Sequence, residues 1–229
     1  MNIVHSNKKN FTLVELMVVI LIMAVTLGML LPAFTTMGAG SAVDGAARMV
    51  SSQLMLARGE AISRRTHVAV LFPAAINSKA DDTNIYKYNS FRSGIVEKDG
   101  GQWKLKEWIP GTAWTFLPTK AVLQTVHDHI PNLIKKDDEE YVRDLDKTTV
   151  PTENDCDKVI DGAAGILDGV TNTSGIRAVI FNPNGSCTKT IYITVMEAVN
   201  GDGNPTAHNV ENLRVLEVNE YTGKAKFLY

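Results

Sequence analysis

Cysteine is nearly absent: Cys156 and Cys187 are the only two in 229 residues, and no zinc-spaced Cys/His set can be drawn. A Gly-rich phosphate loop and a G-x-S-x-G nucleophile turn are missing as well. With no nucleophile, base or metal cluster in a suitable setting, the chain reads as a non-enzyme without a cofactor. Excess charge of either sign is also lacking, the formal net charge being -2. A mildly acidic chain is not built as a bulk polyanion binder, so nucleic acid would need a local basic patch. No internal repeat is evident. A hydrophobic content of 45% argues against global disorder, and the length suits one ordinary domain plus an anchor.

Only one long hydrophobic run exists. From Phe11 to Phe34 the chain reads FTLVELMVVILIMAVTLGMLLPAF, with Glu15 as its single charge. As a helix this run is about 36 Å long, enough to span a bilayer. His5, Lys8 and Lys9 precede it, and no Lys or Arg follows until Arg48. The positive-inside rule puts residues 1–10 in the cytoplasm and the remainder outside. An ordinary secretory signal has a shorter apolar core ending in a small-residue cleavage site. A generic signal anchor stays open but leaves Glu15 unexplained. A carboxylate near one end of a membrane helix needs a partner or water. Cutting the chain before Phe11 would supply one, the new α-ammonium of a neighbouring helix, and the pairing would set a register between subunits. The alternative is a Glu resting at the headgroup level.

The segment KKN-FTLVELMVVILIM closely resembles the processing and assembly motif of type IV pilins and type II secretion pseudopilins. The resemblance implies a short basic leader cut before Phe11 by prepilin peptidase, N-methylation of the new Phe11, and Glu15 as the assembly residue. Thr12 and Leu13 also fit. Pro32 falls where major pilins often carry a helix-softening proline. Pro32 and Gly28 weaken a helix ladder on their own account, whether for filament packing or as a simple kink. The family almost always has Gly before the cut. Here Asn10 stands there, which bears on how efficiently the peptidase acts. The implied partners are other pilins or pseudopilins, prepilin peptidase and the bacterial inner membrane, crossed once with the head in the periplasm or in an extracellular filament.

Beyond the anchor, Val43, Ala46, Ala47, Val50, Leu54, Ala57 and Ala61 recur at spacings of three and four, one apolar face of an amphipathic helix. Asp44, Arg48, Ser51 and Arg58 fall on the other side. Strand signals follow at His67–Phe72, Ile85–Val96, Gln102–Ile109, Thr112–Leu117, Ile176–Phe181, Thr188–Met196, Leu213–Val218 and Ala225–Tyr229, separated by turns such as Asp99-Gly100-Gly101 and Asn182-Pro183-Asn184-Gly185. A helix followed by many short-turned strands predicts an α+β fold with mostly antiparallel sheet. The expected organisation is a leader (1–10), a transmembrane and assembly helix (11–34), its amphipathic continuation (35–66) and a β-rich head (67–229). Residues 118–175 read as a polar, acidic surface insertion in which Lys120–Leu133 suits a helix.

Within the head, Ala178–Gly185, Arg214-Val-Leu-Glu-Val and Tyr221-Thr-Gly-Lys-Ala-Lys226 resemble minor pilins and pseudopilins of the GspH/FimT type. That resemblance implies a long helix packed on two antiparallel sheets. Some FimT-like pilins carry a basic Gly-Arg-x-Arg motif and act in DNA uptake; this chain has Gly223-Lys224-Ala225-Lys226 there. On a strand the two lysines would share a side and could face one phosphate track, weakly and with salt sensitivity. The alternative is an ordinary solvent-facing strand. In an exported head the compartment favours a Cys156–Cys187 disulfide, worth roughly 3 kcal/mol by loop closure; two buried free thiols are the alternative. His127-Asp128-His129 reads as a surface turn or helix start, Asn200–Asn204 as a plain loop lacking the distal Glu of a calcium hand, and Asp137–Glu140 as a solvated charge run.

Overall fold

The seven small and branched residues at helical spacing need a surface to cover, and they find one. In a computed structural model, helix α1 spans Leu13–Arg64, and Val43, Ala46, Ala47, Val50, Leu54, Ala57 and Ala61 are all 0–1% exposed. The structure describes residues 12–73, 86–127, 136–137, 140–141, 156–160, 176–201 and 204–228, with side chains at all but 30–39, 124–125, 127, 136–141 and 199–211. The chain divides into two units, Met1–Gly38 and Ala39–Tyr229. The helix ends where Arg65 turns left-handed at φ 53° and the Thr66 N–H reaches back to the Ala61 carbonyl at 3.3 Å, a C-terminal cap.

The strands are β1 (His67–Phe72), β2 (Ser90–Asp99), β3 (Gln102–Trp108), β4 (Thr115–Phe116), β5 (Ala121–His127), β6 (Lys136–Asp137), β7 (Glu140–Tyr141), β8 (Asp157–Ile160), β9 (Ile176–Phe181), β10 (Ile191–Gly201), β11 (Asn204–Val218) and β12 (Ala225–Phe227). Five of them close on themselves. β1 pairs with β9, β9 with β8, β8 with β3, β3 with β2 and β2 again with β1, so the first sheet is a small barrel with β4 attached to β2. Among the described strands only β3 with β8 is parallel, through Trp103↔Val159 and Lys104↔Ile160.

Alternation then sends side chains to two cores. Ala69 and Leu71, Val96, Trp103 and Leu105, Val159, and Ile176, Ala178 and Ile180 form one cluster drawn from all five strands, the filled interior of the barrel. Their neighbours Val68, Val70, Phe72, Phe91, Ile95, Val179 and Phe181 point outward and meet the buried face of α1. Both faces of β1 and β9 are covered, which is why these strands read as unbroken apolar runs. At Gly94 a Cβ would run into Leu105 and lie 3.2 Å from Trp108. The bare backbone there, beside a register shift between Ile95 and Val96, lets β2 bend around the barrel.

The second sheet, ordered β12-β11-β10-β5, is antiparallel throughout. Its Ile191, Ile193, Val195, Leu216, Val218, Leu123 and Val126 complete the core around α1. The α+β expectation with mostly antiparallel pairing therefore holds. The Asp99-Gly100-Gly101-Gln102 hairpin is also as read, with Gly100 and Gly101 at φ 58° and 86°.

Several local readings change. The helix expected over Lys120–Leu133 is strand β5 as far as His127; residues 128–133 lie outside the described set. Leu123 and Val126 face the main core while Val122 packs with Met196 and Ala198 on the other side, so the run shows no clean alternation. The second strand begins at Ser90, and the fourth shrinks to Thr115–Phe116. The stretch read as a surface insertion supplies β5 to one sheet and β8, with a fully buried Val159, to the other. Among the described residues no helix is long and apolar enough to cross a membrane; the expected span 11–34 falls partly outside them.

Candidate assembly and processing site

The N-terminal unit shows how α1 starts. The Thr12 hydroxyl oxygen accepts the Glu15 N–H at 3.2 Å, and Glu15 Oε2 accepts the Thr12 N–H at 3.1 Å and its hydroxyl at 3.2 Å. This is a reciprocal capping box, satisfying donors that the first turn would otherwise leave unpaired. The T-x-x-E signal of a capping box stands in the sequence at Thr12–Glu15. The large apolar side chains from Leu13 to Met29 are 42–75% exposed in this unit. Nothing lies within 4 Å of a Cβ placed at Gly28, and α1 continues through Pro32, whose side chain is outside the described set. Asn10 and Phe11 also lie outside it.

The head is pinned to the later part of α1 by polar contacts. Arg58 was read as solvent-facing, yet it is half-buried, and its Nε–H donates to both the Gly185 and the Thr222 carbonyls at 2.9 Å. Those carbonyls belong to the β9–β10 and β11–β12 turns, so one side chain gathers both sheets. The two turns touch each other there: a Cβ on Gly223 (φ 60°) would strike the Gly185 carbonyl oxygen. Gln53 donates to Ser93 Oγ at 2.6 Å, and Arg214 pairs with Asp44 at 2.7 Å.

Residues 46–213 match the family described as Type II transport protein GspH, and residues 6–31 match the Prokaryotic N-terminal methylation motif. The chain belongs to the GspH family. Two solved structures are similar at 12% identity. One is the type IV minor pilin FimU of Pseudomonas aeruginosa (strain PAO1), with 82% of this chain and 88% of that one covered at TM-score 0.40. The other is the minor pseudopilin EpsH from the Type 2 Secretion System of Vibrio cholerae, with 81% and 95% covered at TM-score 0.38. No curated protein matches the chain.

In this GspH-family head both cysteines lie in the main core. Cys156 and Cys187 are free, 6% and 4% exposed, and belong to the same apolar cluster. Burial pushes both thiols above their ordinary value, opposed at Cys156 by the nearby Arg177 guanidinium and at Cys187 by backbone hydrogen bonds. Lys224 and Lys226 are exposed. Lys226 stands on β12 directly opposite Glu217, while Lys224 precedes the strand, its N–H donating to Thr222 Oγ1. The Lys224 carbonyl accepts the Asn219 N–H at 3.1 Å, one residue beyond the Val218↔Ala225 pair, and a carboxylate sits across from Lys226. His127 ends β5, and Asp128 and His129 lie outside the described residues. Asn200 and Gly201 end β10 and Asn204 begins β11, Gly201 pairing with Asn204, while residues 202–203 lie outside the described set; Asp137 and Glu140 pair between β6 and β7. Among the described residues no group of three or more His, Cys, Asp or Glu could hold a metal ion.

Proposed function

We propose that this chain is a minor pilin or pseudopilin, a structural subunit of a type IV pilus or type II secretion filament. In this reading prepilin peptidase cuts before Phe11, the new terminus is methylated, and the subunit waits in the inner membrane until its helix joins those of other subunits. The observation that carries the reading is the unbroken exposure of apolar side chains from Leu13 to Met29 on a helix begun by the Thr12–Glu15 capping box. A surface of that kind calls for lipid or protein cover. Membership of the GspH family and the methylation motif over residues 6–31 support the same role. Glu15 fits a double duty. The capping box holds its carboxylate in place, and a carboxylate has acceptor sites beyond the two that Thr12 uses, enough to receive the α-ammonium of a neighbouring subunit.

The capping and assembly roles separate by substitution. Glu15→Gln keeps a side chain that closes a capping box but removes the charge. Thr12→Val weakens the box and keeps the charge. Glu15→Gln is expected to abolish incorporation into sheared filaments or envelope pseudopili while the protein still accumulates in the membrane, and Thr12→Val to leave incorporation largely intact. Wild-type incorporation of Glu15→Gln would overturn the assembly role. A DNA-binding role through Lys224 and Lys226 has less behind it, since Glu217 offsets one of the two charges.

A further inference from the structure

We propose that Cys156 and Cys187 close into an intramolecular disulfide that fastens the barrel-completing strand β8 to the β9–β10 turn. The geometry comes from β9. One side of that strand is taken by β1, through Val68↔Phe181 to Phe72↔Arg177. The other side carries two separate pieces of chain. Cys187 bridges Phe181 and the Thr188 N–H donates to the Ile180 carbonyl, while Asp157 pairs with Ala178. One step before Asp157, Cys156 falls opposite Val179. The two pieces thus form one broken line beside β9, in the order Cys187, Thr188, Cys156, Asp157.

Two positions apart on such a line, side chains share a face. Cys156 and Cys187 lie in the cluster that holds Val179 and Phe181, on the outer surface of the barrel. The companion pair one step along has already met: the Thr188 hydroxyl donates to Asp157 Oδ2 at 2.5 Å. Two residues of strand rise put the cysteine Cα atoms at about 6.6 Å, the upper part of the range a disulfide spans. The register of β9 therefore places the two thiols as the reduced half of a disulfide couple.

Closure removes two protons and two electrons from the thiols. The acceptor is a protein disulfide of an oxidoreductase in the exported compartment, which leaves as two thiols after exchange through a mixed disulfide. The presence of that oxidant rests on the export proposed above. Because both thiols are buried and poor in thiolate, the exchange takes place as the head folds and the product resists reduction once folded.

Two experiments keep the bond and the export apart. First, full-length chain in detergent is reduced, unfolded, and refolded in a glutathione redox buffer. Peptide mapping is expected to find a Cys156–Cys187 linkage with an intact mass lower by about 2 Da, and its thermal midpoint to drop by several degrees on adding reductant. The Cys156→Ala/Cys187→Ala double variant should melt at or below the reduced midpoint and ignore reductant. Free thiols in the refolded wild type, or only intermolecular bonds, overturn the proposal. Second, protein from membranes is trapped with an alkylating agent under denaturing conditions. Unreactive cysteines support the bond as the native state. If the linkage forms on refolding but cellular protein is alkylated twice, the geometry stands and the export reading is the one that fails.

Discussion

Replacing Arg58 with Ala tests whether one guanidinium holds the two sheets of the head together. The Nε–H is shared between the Gly185 and Thr222 carbonyls, so it counts as one charge-assisted hydrogen bond, worth about 1.5–3 kcal/mol. The stem adds packing, with Arg58 Cδ 3.2 Å from where a Cβ on Gly223 would sit, for about 1 kcal/mol more. The sum is about 3 kcal/mol, and for a unit of this size that corresponds to a thermal midpoint lower by roughly 6–12 °C. Tryptophan fluorescence reports the head selectively, because Trp103, Trp108 and Trp114 are the only three tryptophans. Arg58→Lys keeps charge and stem but has no N–H at the Nε position, so it should recover only the packing part. A loss under about 2 °C for Arg58→Ala, or full stability in Arg58→Lys, would refute the reasoning.

The two glycines at that junction should respond differently to alanine. At Gly223 the new methyl meets a carbonyl oxygen at φ 60° and has no escape, so the variant is expected to lose more than about 3 kcal/mol and to accumulate poorly; at Gly185 it meets the movable end of Ile62, and the loss measured by the same melts should be smaller. His67, its ring tilted at 57° to that of Trp103 with centroids 5.1 Å apart, has its imidazole held below the ordinary 6.5 by burial. The unfolded chain then binds the proton more readily than the folded one. Stability should be full above pH 6.5 and decline as the pH falls through that value, and His67→Gln should flatten the profile of midpoint against pH.

How far the sequence could be read depended on how local each signal was. The buried stripe of α1 was legible residue by residue because a helix repeats its contact every turn and tolerates no gap in the pattern. The Gly100-Gly101 and Asn182–Gly185 turns were legible because their backbone angles demand those residues. What stayed hidden was decided at long range. β8 is four residues, Asp157–Ile160, in an acidic stretch, and nothing in it announces a strand until β3 and β9 supply partners on both sides. β5 was mistaken for helix because its two faces are covered by different clusters. Arg58 was hidden for a similar reason: a lone cation on a helix flank looks solvated, and only the meeting of two distant turns gives its Nε–H two acceptors. Even the cysteine pair, plain as composition, acquired its geometry only from the register of β9.

A barrel closed by pairing has a consequence for life among close neighbours. Strands at the end of an open sheet offer unpaired N–H and C=O groups to any chain that comes alongside. In the head, β1, β2, β3, β8 and β9 are each paired on both sides, which leaves only the two-residue β4 as a ragged rim of that sheet. The second sheet ends on one side at β12, three residues that include Lys226, and on the other at the seven-residue β5, which among the described strands pairs with β10 alone. Heads crowded along a fibre at high local concentration would thus have little backbone to trade through the first sheet, and any strand pairing between them would run through the β5 edge of the second.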